Sequence, residues 1–236
     1  MNKKMRVLIT GATAGIGYKI AEKALEEGRQ VSITGRQEKT VEHAVNMLQS
    51  KYGAKVEGLI VDFTKAAETQ QFIDSAFTAE TLPDVLIFNA GQYAEGPMHE
   101  PGEGHIEPQL RLHFLHIIEA LQVWLPWMKA RKGGHIICMN SIISLEPRRA
   151  APGYSVSKAA LLAYLRALQP ELIPHGIRVS QLLPSSTQSR SWQGSGIQED
   201  LLMDAEELAK WVSTMWSSPP NMVSTELILR PMSPLF

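Results

Sequence analysis

Cysteine is almost absent from this sequence, since Cys138 is the single one among 236 residues. An intramolecular disulfide is therefore excluded, and a reducing compartment is favoured. An excess of charge of one sign is also lacking, because 23 Lys and Arg residues face 24 Asp and Glu residues. Without a global positive field, nucleic acid and anionic membrane surfaces are not expected as partners.

Apolar runs long enough to cross a bilayer are missing too. The most apolar long segment, 112–128, is interrupted by polar residues: His113, His116, Glu119 and Gln122. The first six residues carry two lysines and lead into a short strand pattern, without the apolar stretch of a secretory signal. We therefore expect a cytoplasmic protein with no membrane partner. No linker, repeat or low-complexity tract divides the chain, which predicts one domain over residues 1–236.

Short β-rich runs alternate with longer helical patterns along most of the sequence. The predicted strands cover residues 6–10, 30–34, 55–61, 85–89, 135–140, 178–183 and 226–229. Residues with apolar spacings of three and four predict helices over 17–27, 39–53, 66–78, 106–129, 154–170 and 205–216. This alternation is typical of an α/β fold with a parallel sheet of about seven strands and helices on both faces.

The first strand runs directly into three glycines with the spacing G-x-x-x-G-x-G, and a helical pattern follows at once. Such glycines let the backbone turn sharply and approach a pyrophosphate, while free N–H groups at the helix start face the anion. A turn followed by a helix cap is the alternative. The position after an N-terminal strand favours a dinucleotide loop, whose candidate residues are Gly11, Thr13, Ala14, Gly15, Ile16 and Gly17.

The end of the second strand predicts which dinucleotide is bound. An NAD enzyme would carry Asp or Glu here to accept from the ribose 2′-hydroxyl, whereas this sequence has Arg36 after Gly35. A guanidinium can hold a 2′-phosphate through two charge-assisted hydrogen bonds. We predict NADP(H) in preference to NAD(H), and a solvated loop arginine is the alternative.

Two further strand ends supply candidate cofactor residues. Asp62, followed by Phe63, comes just after the third strand and can accept from an adenine amino group. Asn89, Ala90 and Gly91 end the fourth strand, where small residues would let the cofactor lie against the sheet. Both groups are also compatible with simple turn formation.

A tyrosine and a lysine four residues apart follow Pro152-Gly153, which we interpret as a helix stop. The spacing puts Tyr154 and Lys158 on one face of the next helix, with the phenol near its positive end. A nearby ammonium would lower the pKa of the phenol toward the range useful for acid–base catalysis. Ser141 ends the fifth strand, where its hydroxyl can hydrogen-bond a substrate carbonyl oxygen. A turn serine is the alternative.

These motifs, in this order, resemble the short-chain dehydrogenase/reductase family. The resemblance rests on TGxxxGxG at 10–17, on Asn89-Ala90-Gly91, on Ser141 thirteen residues before Tyr154, and on Tyr154 with Lys158. It implies a Rossmann-type doubly wound fold and hydride transfer to or from a nicotinamide. It further implies that Tyr154 is the acid in reduction, that Lys158 binds the nicotinamide ribose and lowers the phenol pKa, and that Ser141 orients the carbonyl.

The sequence departs from the family pattern at three places. The helix asparagine falls on His113, which can hold a water or relay a proton as an amide can, a packed structural histidine being the alternative. The Pro-Gly after the sixth strand becomes Pro184-Ser185, where Ser185 and Thr187 can still meet the carboxamide and pyrophosphate. The C-terminus lacks a terminal Gly-Gly, which leaves the geometry of an oligomer open.

Other features bear on partners. The His113 and His116 pair has no acidic or cysteine neighbour at metal-ligand spacing, so no metal site is predicted. The family commonly forms homodimers or homotetramers through the helices that here contain Trp124 and Tyr154, although Trp124 also fits a core position. Arg148 and Arg149 would favour an acidic or phosphorylated substrate if they face the cleft, and are otherwise solvated.

The segment 185–204 is a predicted substrate lid. The sequence thus predicts an NADP(H)-dependent oxidoreductase that transfers a hydride between a nicotinamide and a small-molecule carbonyl or alcohol substrate, with Tyr154 as acid or base. The alternative is a non-catalytic regulator that binds a dinucleotide on the same fold. The substrate's identity is not encoded in these motifs, because the pockets of one fold are built from variable loops.

Overall fold

Seven parallel strands form a single sheet in the order β3-β2-β1-β4-β5-β6-β7. The computed structural model describes residues 4–97, 99–100, 102, 104–188, 198 and 201–232. The strands are β1 Arg6–Ile9, β2 Gln30–Gly35, β3 Val56–Ile60, β4 Val85–Phe88, β5 Gly134–Met139, β6 Ile177–Pro184 and β7 Glu226–Leu229. The predicted α/β fold with a parallel seven-stranded sheet is confirmed.

The helices cover both faces of this sheet. They are α1 Gly15–Glu26, α2 Glu38–Tyr52, α3 Ala66–Ser75, α4 Ile106–Leu110, α5 His116–Arg131, α6 Pro152–Leu172 and α7 Ala205–Ser217. Successive β1 residues point to opposite layers, as the two-residue period of a strand requires. Val7 and Ile9 pack with α1, α2 and α7, whereas Leu8 packs with α3, α5 and α6. Two buried cores therefore sandwich the sheet.

The strand order reverses at β1, which lies between β2 and β4. Chains that leave the carboxyl ends of β1 and β4 turn to opposite sides, and the crevice between them is where open α/β sheets bind ligands. The glycine loop follows β1, and Asn89 follows β4. The fold therefore brings the predicted dinucleotide loop and the end of β4 to one crevice.

Two helices differ from the sequence prediction. The single helix predicted over 106–129 is interrupted between α4 and α5 by a π-helical turn, Arg111–Leu115, which contains His113. Pro152 was predicted to stop a helix, but α6 begins there. This prediction was wrong because proline is well tolerated at the first helical position, where its missing N–H has no intrahelical partner to lose.

Among the described residues, no helix combines the length and the hydropathy needed to cross a bilayer.

Candidate active site

The loop between β1 and α1 is shaped by close backbone contacts at its glycines. Gly11 has φ +64°, and a Cβ added there would lie 2.7 Å from the Ala90 Cα. A Cβ on Gly17 would lie 2.4 Å from the Asn89 Nδ2 and 2.7 Å from the Gly11 carbonyl oxygen. α1 has no acidic residue in its first turn and no side-chain cap at Ala14. Its first N–H groups can therefore face an anion, and a pyrophosphate fits this cradle.

Asn89 fastens the glycine loop to the end of β4. Its Nδ2 donates to the carbonyl oxygens of Thr10 and Gly11 at 3.0 and 2.9 Å. The Thr10 hydroxyl in turn accepts from the backbone N–H groups of Asn89 and Ala90, both at 2.9 Å. Asn89 and Ala90 thus hold the loop in place.

The residues predicted to meet the adenosine half lie around the ends of β2 and β3. A Cβ on Gly35 would lie 2.5 Å from the Thr13 Cγ2, so this glycine lets the loop pack on β2. Arg36 is exposed directly after Gly35. The Asp62 carboxylate accepts from the Thr64 N–H at 3.0 Å and from its hydroxyl at 2.7 Å.

The positive charges of Lys65 and Arg36 act on the Asp62 carboxylate. Burial raises the pKa of Asp62, but the Thr64 hydrogen bonds and the charges of Lys65 and Arg36 bring it below its ordinary value. Phe63 differs from its neighbours, because its ring is buried and stacks on His116 at a centroid distance of 4.4 Å. Only the backbone of Phe63 is left to border an adenine.

Ser141 and Tyr154 meet at the carboxyl edge of β5. Ser141 follows β5 and caps a short 3-10 helix, Ile142–Ser144, by accepting from the Ile143 N–H at 3.3 Å. Tyr154 is the third residue of α6, and its phenol forms a side-chain hydrogen bond with Ser141. Burial raises the pKa of Tyr154 to about 12, although the Ser141 hydrogen bond acts in the opposite direction. The phenol is therefore protonated at neutral pH.

Lys158 is buried one helical turn beyond Tyr154, with only 4% of its surface exposed. Its ammonium donates to the Met139 carbonyl at 2.8 Å and lies 5.7 Å from the centre of the Tyr154 ring. Burial lowers the pKa of Lys158 to about 8. We expected the ammonium to lower the pKa of the phenol, but the burial of Tyr154 outweighs any such effect.

His113 packs behind Tyr154 and is 1% exposed. Its Nε2 accepts from the Gln92 backbone N–H at 3.1 Å, and its Nδ1 lies 3.0 Å from the Ser157 hydroxyl. The imidazole meets the Tyr154 ring edge to face, with centroids 5.1 Å apart. Both ring nitrogens thus have protein partners.

A cavity of about 500 Å³ joins most of the predicted site residues. Those that line it are Gly11, Ala14, Gly15, Ile16, Gly17, Asn89, Gly91, Ser141, Tyr154, Lys158, Pro184, Ser185 and Thr187. The other predicted residues border the loop or the core without lining the cavity: Thr13, Arg36, Asp62, Phe63, Ala90 and His113.

Several lining residues were missed by the sequence analysis. Gln92, Tyr93 and Glu95 follow Gly91, and their position after a strand end of the ligand-binding edge was the available signal. The Tyr93 ring meets Tyr154 edge to face at 5.3 Å, and its hydroxyl donates to the Glu95 carboxylate at 2.9 Å. Arg148 lines the cavity, whereas Arg149 is exposed outside it.

The segment after β6 closes another side of the cavity. The Ser185 N–H donates to the Leu229 carbonyl at 2.9 Å, and the Thr187 hydroxyl donates to the Ser185 carbonyl at 3.0 Å. Thr187 also forms an isolated bridge with Met203. The predicted lid, 185–204, lies partly outside the described residues, so its role stays a prediction.

Comparisons with known proteins agree with this geometry. The family model described as short chain dehydrogenase matches residues 5–200. An uncharacterised oxidoreductase of Staphylococcus epidermidis is 24% identical over 229 residues, covering 97% of this chain and 98% of that protein. The alcohol dehydrogenase of the archaeon Thermococcus sibiricus, solved with 5-hydroxy-NADP, is 23% identical with a TM-score of 0.86 over 98% of this chain and 97% of that one.

A second solved structure has slightly higher identity. The L-sorbose reductase of Gluconobacter frateurii, solved with NADPH and L-sorbose, is 25% identical with a TM-score of 0.86, covering 97% of this chain and 96% of that one. The chain therefore belongs to the short-chain dehydrogenase/reductase family. It is an oxidoreductase with the Rossmann-type fold of that family.

Proposed function

We propose that this protein is an NADP(H)-dependent oxidoreductase that interconverts a carbonyl and an alcohol. One observation carries the proposal, namely that Ser141, Tyr154 and Lys158 line the same cavity as the glycine loop. A dinucleotide seated on that loop would bring its nicotinamide toward the phenol. NADPH would supply the hydride, and this chain would supply the proton and the orientation.

Tyr154 donates the proton to the carbonyl oxygen in the direction of reduction. Its phenol stays protonated at neutral pH because burial raises its pKa to about 12. The Ser141 hydroxyl shares a hydrogen bond with the phenol and orients the same carbonyl oxygen. Lys158 holds the nicotinamide ribose and offers a positive charge as the phenol loses its proton.

Arg36 selects the phosphorylated cofactor. It is exposed beside the end of β2, and no ion pair engages it among the described residues. Its guanidinium is available to a 2′-phosphate, which a carboxylate at this position would repel. The NADPH bound to the sorbose reductase supports this preference by likeness.

Arg148 favours a substrate that carries an anionic group near its carbonyl. Its backbone N–H donates to the Ser155 hydroxyl at 3.0 Å, which ties the chain before α6 to the first turn of that helix, where Tyr154 lies. No ion pair within 4.0 Å engages Arg148 in the described part of the chain. Its charge helps to lower the pKa of Glu146, but that carboxylate pairs with Arg230, and Glu95 at the cavity accepts from Tyr93. A substrate carboxylate or phosphate would supply a direct partner for the guanidinium.

A homodimer or homotetramer through the helices α5 and α6 stays a proposal. Trp124 itself is fully buried and packs against Phe72 and Phe77, so it belongs to the core and not to a surface of this chain. Light scattering on the purified protein tests the assembly.

A non-catalytic regulator that binds a dinucleotide is the second candidate, which the change of the family's helix asparagine to His113 keeps open. The test is NADPH oxidation with a panel of carbonyl compounds by the wild-type protein and by Tyr154→Phe. Turnover that is lost in the variant supports the enzyme, and binding without turnover supports the regulator.

A further inference from the structure

His113 occupies the helix position at which the family carries an asparagine, and its proton can be placed from its partners. A backbone N–H can only donate, so the Nε2 that accepts from Gln92 must carry a lone pair. The proton of the neutral ring then sits on Nδ1, which donates to the Ser157 hydroxyl oxygen at 3.0 Å. Ser157 donates its own proton to the Tyr154 carbonyl at 2.8 Å. All three hydrogen bonds run in one direction.

This chain of hydrogen bonds ends at a backbone carbonyl and not at a titrating group. A proton passed along it would reach the Tyr154 main chain, which cannot release it to the phenol. Protonating Nε2 would also set two donors against each other, since the Gln92 N–H already points there. The arrangement holds a neutral ring and provides no route for a proton.

The surroundings of His113 oppose its ionisation as well. It is buried against Tyr154 and Lys158 of α6 and His116 of α5, and the Gln109 carbonyl of α4 acts in the other direction. Burial is the main cause that holds the pKa of His113 well below its ordinary value, and the charge of Lys158 adds to it.

The contacts of His113 instead join three segments of the site. The π-helical turn carries the ring, the chain that leaves β4 is held through Gln92, and α6 is held through Ser157. A Cβ on Gly91 would lie 3.0 Å from the Cδ2 and Nε2 of His113, so any larger residue there would crowd the imidazole. π-helical turns occur frequently at functional sites.

We propose that His113 is a neutral positioning residue that fixes the Tyr154 ring and the Gly91–Tyr93 backbone, and that it relays no proton. The inference rests on the proposed function, because Tyr154 must be the acid for its position to matter. An imidazole that bridges two hydrogen-bonding partners here replaces the family's amide.

The protonation state is tested first on the full chain, labelled with ¹⁵N-histidine, by NMR between pH 5 and 8. His113→Asn identifies the signal among the seven histidines. We expect an Nδ1-protonated, Nε2-unprotonated ring whose shifts do not change over this range. A proton on Nε2, or a titration midpoint between pH 5 and 8, would overturn the inference. The measurement needs no turnover, so its outcome is separate from that of the proposed function.

The kinetic test compares His113→Leu with His135→Leu. His135 is a matched control, because it is also 1% exposed and also bonds a serine hydroxyl, Ser180, at 2.8 Å, but lies in β5 away from the cavity. We expect His113→Leu to lose kcat on the order of a hundredfold, equally across pH 5–8, with NADPH binding retained. His113→Asn should recover part of the loss, since an amide still offers a donor and an acceptor.

Two results contradict the positioning role. One is a kcat of His113→Leu equal to that of the wild type. The other is a loss of kcat that appears only above or only below an inflection near neutral pH in the pH profile. If His113→Leu does not fold, Ser157→Ala carries the same test, because it cuts the same chain of hydrogen bonds. It should lower kcat without changing the shape of the pH profile, and a wild-type kcat in this variant would overturn the inference.

Discussion

The ammonium of Lys158 lies over the ring of Tyr154, 5.7 Å from its centre. Its hydrogen bond goes to the Met139 carbonyl, so the lysine is anchored to the end of β5 and approaches Tyr154 from the face of its ring. Burial favours the neutral form of both groups: it raises the pKa of Tyr154 to about 12 and lowers the pKa of Lys158 to about 8. The buried cavity thus keeps the acid protonated and makes the cation sensitive to mildly alkaline pH.

The lowered pKa of Lys158 predicts a pH dependence of cofactor binding. Below about pH 8 the ammonium is charged and can hold the ribose hydroxyls, and above it the charge is lost. The dissociation constant of NADPH should be constant near pH 7 and should rise by up to about tenfold per pH unit above pH 8. Fluorescence titration from pH 6 to 10 measures it.

Lys158→Met serves as the control for this titration, because it should bind NADPH weakly at every pH without the alkaline inflection. A wild-type dissociation constant that stays level up to pH 10, as expected for a lysine with the ordinary pKa of 10.5, would contradict the assigned shift.

Arg36→Ala should weaken NADPH binding by about ten- to a hundredfold, the size expected for lost charge-assisted hydrogen bonds to a phosphate. NADH, which lacks the 2′-phosphate, should bind as before. Lys55→Ala is the matched control, since it removes an exposed positive charge just before β3. Lys55 therefore lies at the amino ends of the parallel strands, whereas Arg36 lies at their carboxyl ends. Equal losses for both cofactors, or none, would show that Arg36 does not read the phosphate.

Arg148 predicts a preference for anionic substrates, which a series of 2-, 3- and 4-oxo acids and their methyl esters can measure. We expect the wild-type kcat/KM to favour one or more of the acids over the matching ester. Arg148→Met should reduce that ratio by about ten- to a hundredfold. Arg149→Met should leave the ratio unchanged, because Arg149 lies outside the cavity. A wild-type enzyme that prefers the esters throughout would refute the substrate class and leave the oxidoreductase function standing.

Three buried histidines predict a loss of stability in mild acid. Burial lowers the pKa of His116 and His135 to about 3 and that of His113 well below its ordinary value. The unfolded chain takes up these protons below about pH 6.5 while the folded protein does not, so the free energy of unfolding falls as pH decreases. Each histidine contributes up to about 1.4 kcal/mol per pH unit between pH 6 and 5.

Urea unfolding at pH 7, 6 and 5 measures this slope. His135→Leu should make it shallower by one proton, because the variant has one fewer histidine to protonate on unfolding. A free energy of unfolding that is constant between pH 7 and 5 would show that the histidines are not held neutral in the folded protein.

Short sequence patterns were enough to predict the strands, the glycine loop and the pairing of Tyr154 with Lys158, because each of these features depends on residues that are close together in the sequence. Apolar runs give the strands, and the four-residue spacing puts two side chains on one helix face. The partners of His113 could not be predicted in this way, since Gln92 is 21 residues away and Ser157 is 44 residues away. The π-helical turn, Arg111–Leu115, lies within a segment whose apolar spacings of three and four predicted one continuous helix.

Burial explains the remaining differences. The side chain of Phe63 packs in the core and not in the crevice, because the helices on that face of the sheet provide the rings of His116 and Phe72 as neighbours. The pKa of Tyr154 moves upward because the phenol is enclosed by elements far apart in sequence. Arg148 and Arg149 are neighbours in sequence, and only the folded loop separates the one that lines the cavity from the one that does not.

NADPH oxidation by wild type and Tyr154→Phe, followed at 340 nm with a panel of oxo acids and neutral carbonyl compounds, tests the central claim most directly. The account predicts turnover by the wild type and a loss of at least about a hundredfold in kcat for the variant, while its NADPH affinity is retained. NADPH binding without oxidation of the cofactor in the wild type, or equal turnover by both proteins, would contradict it.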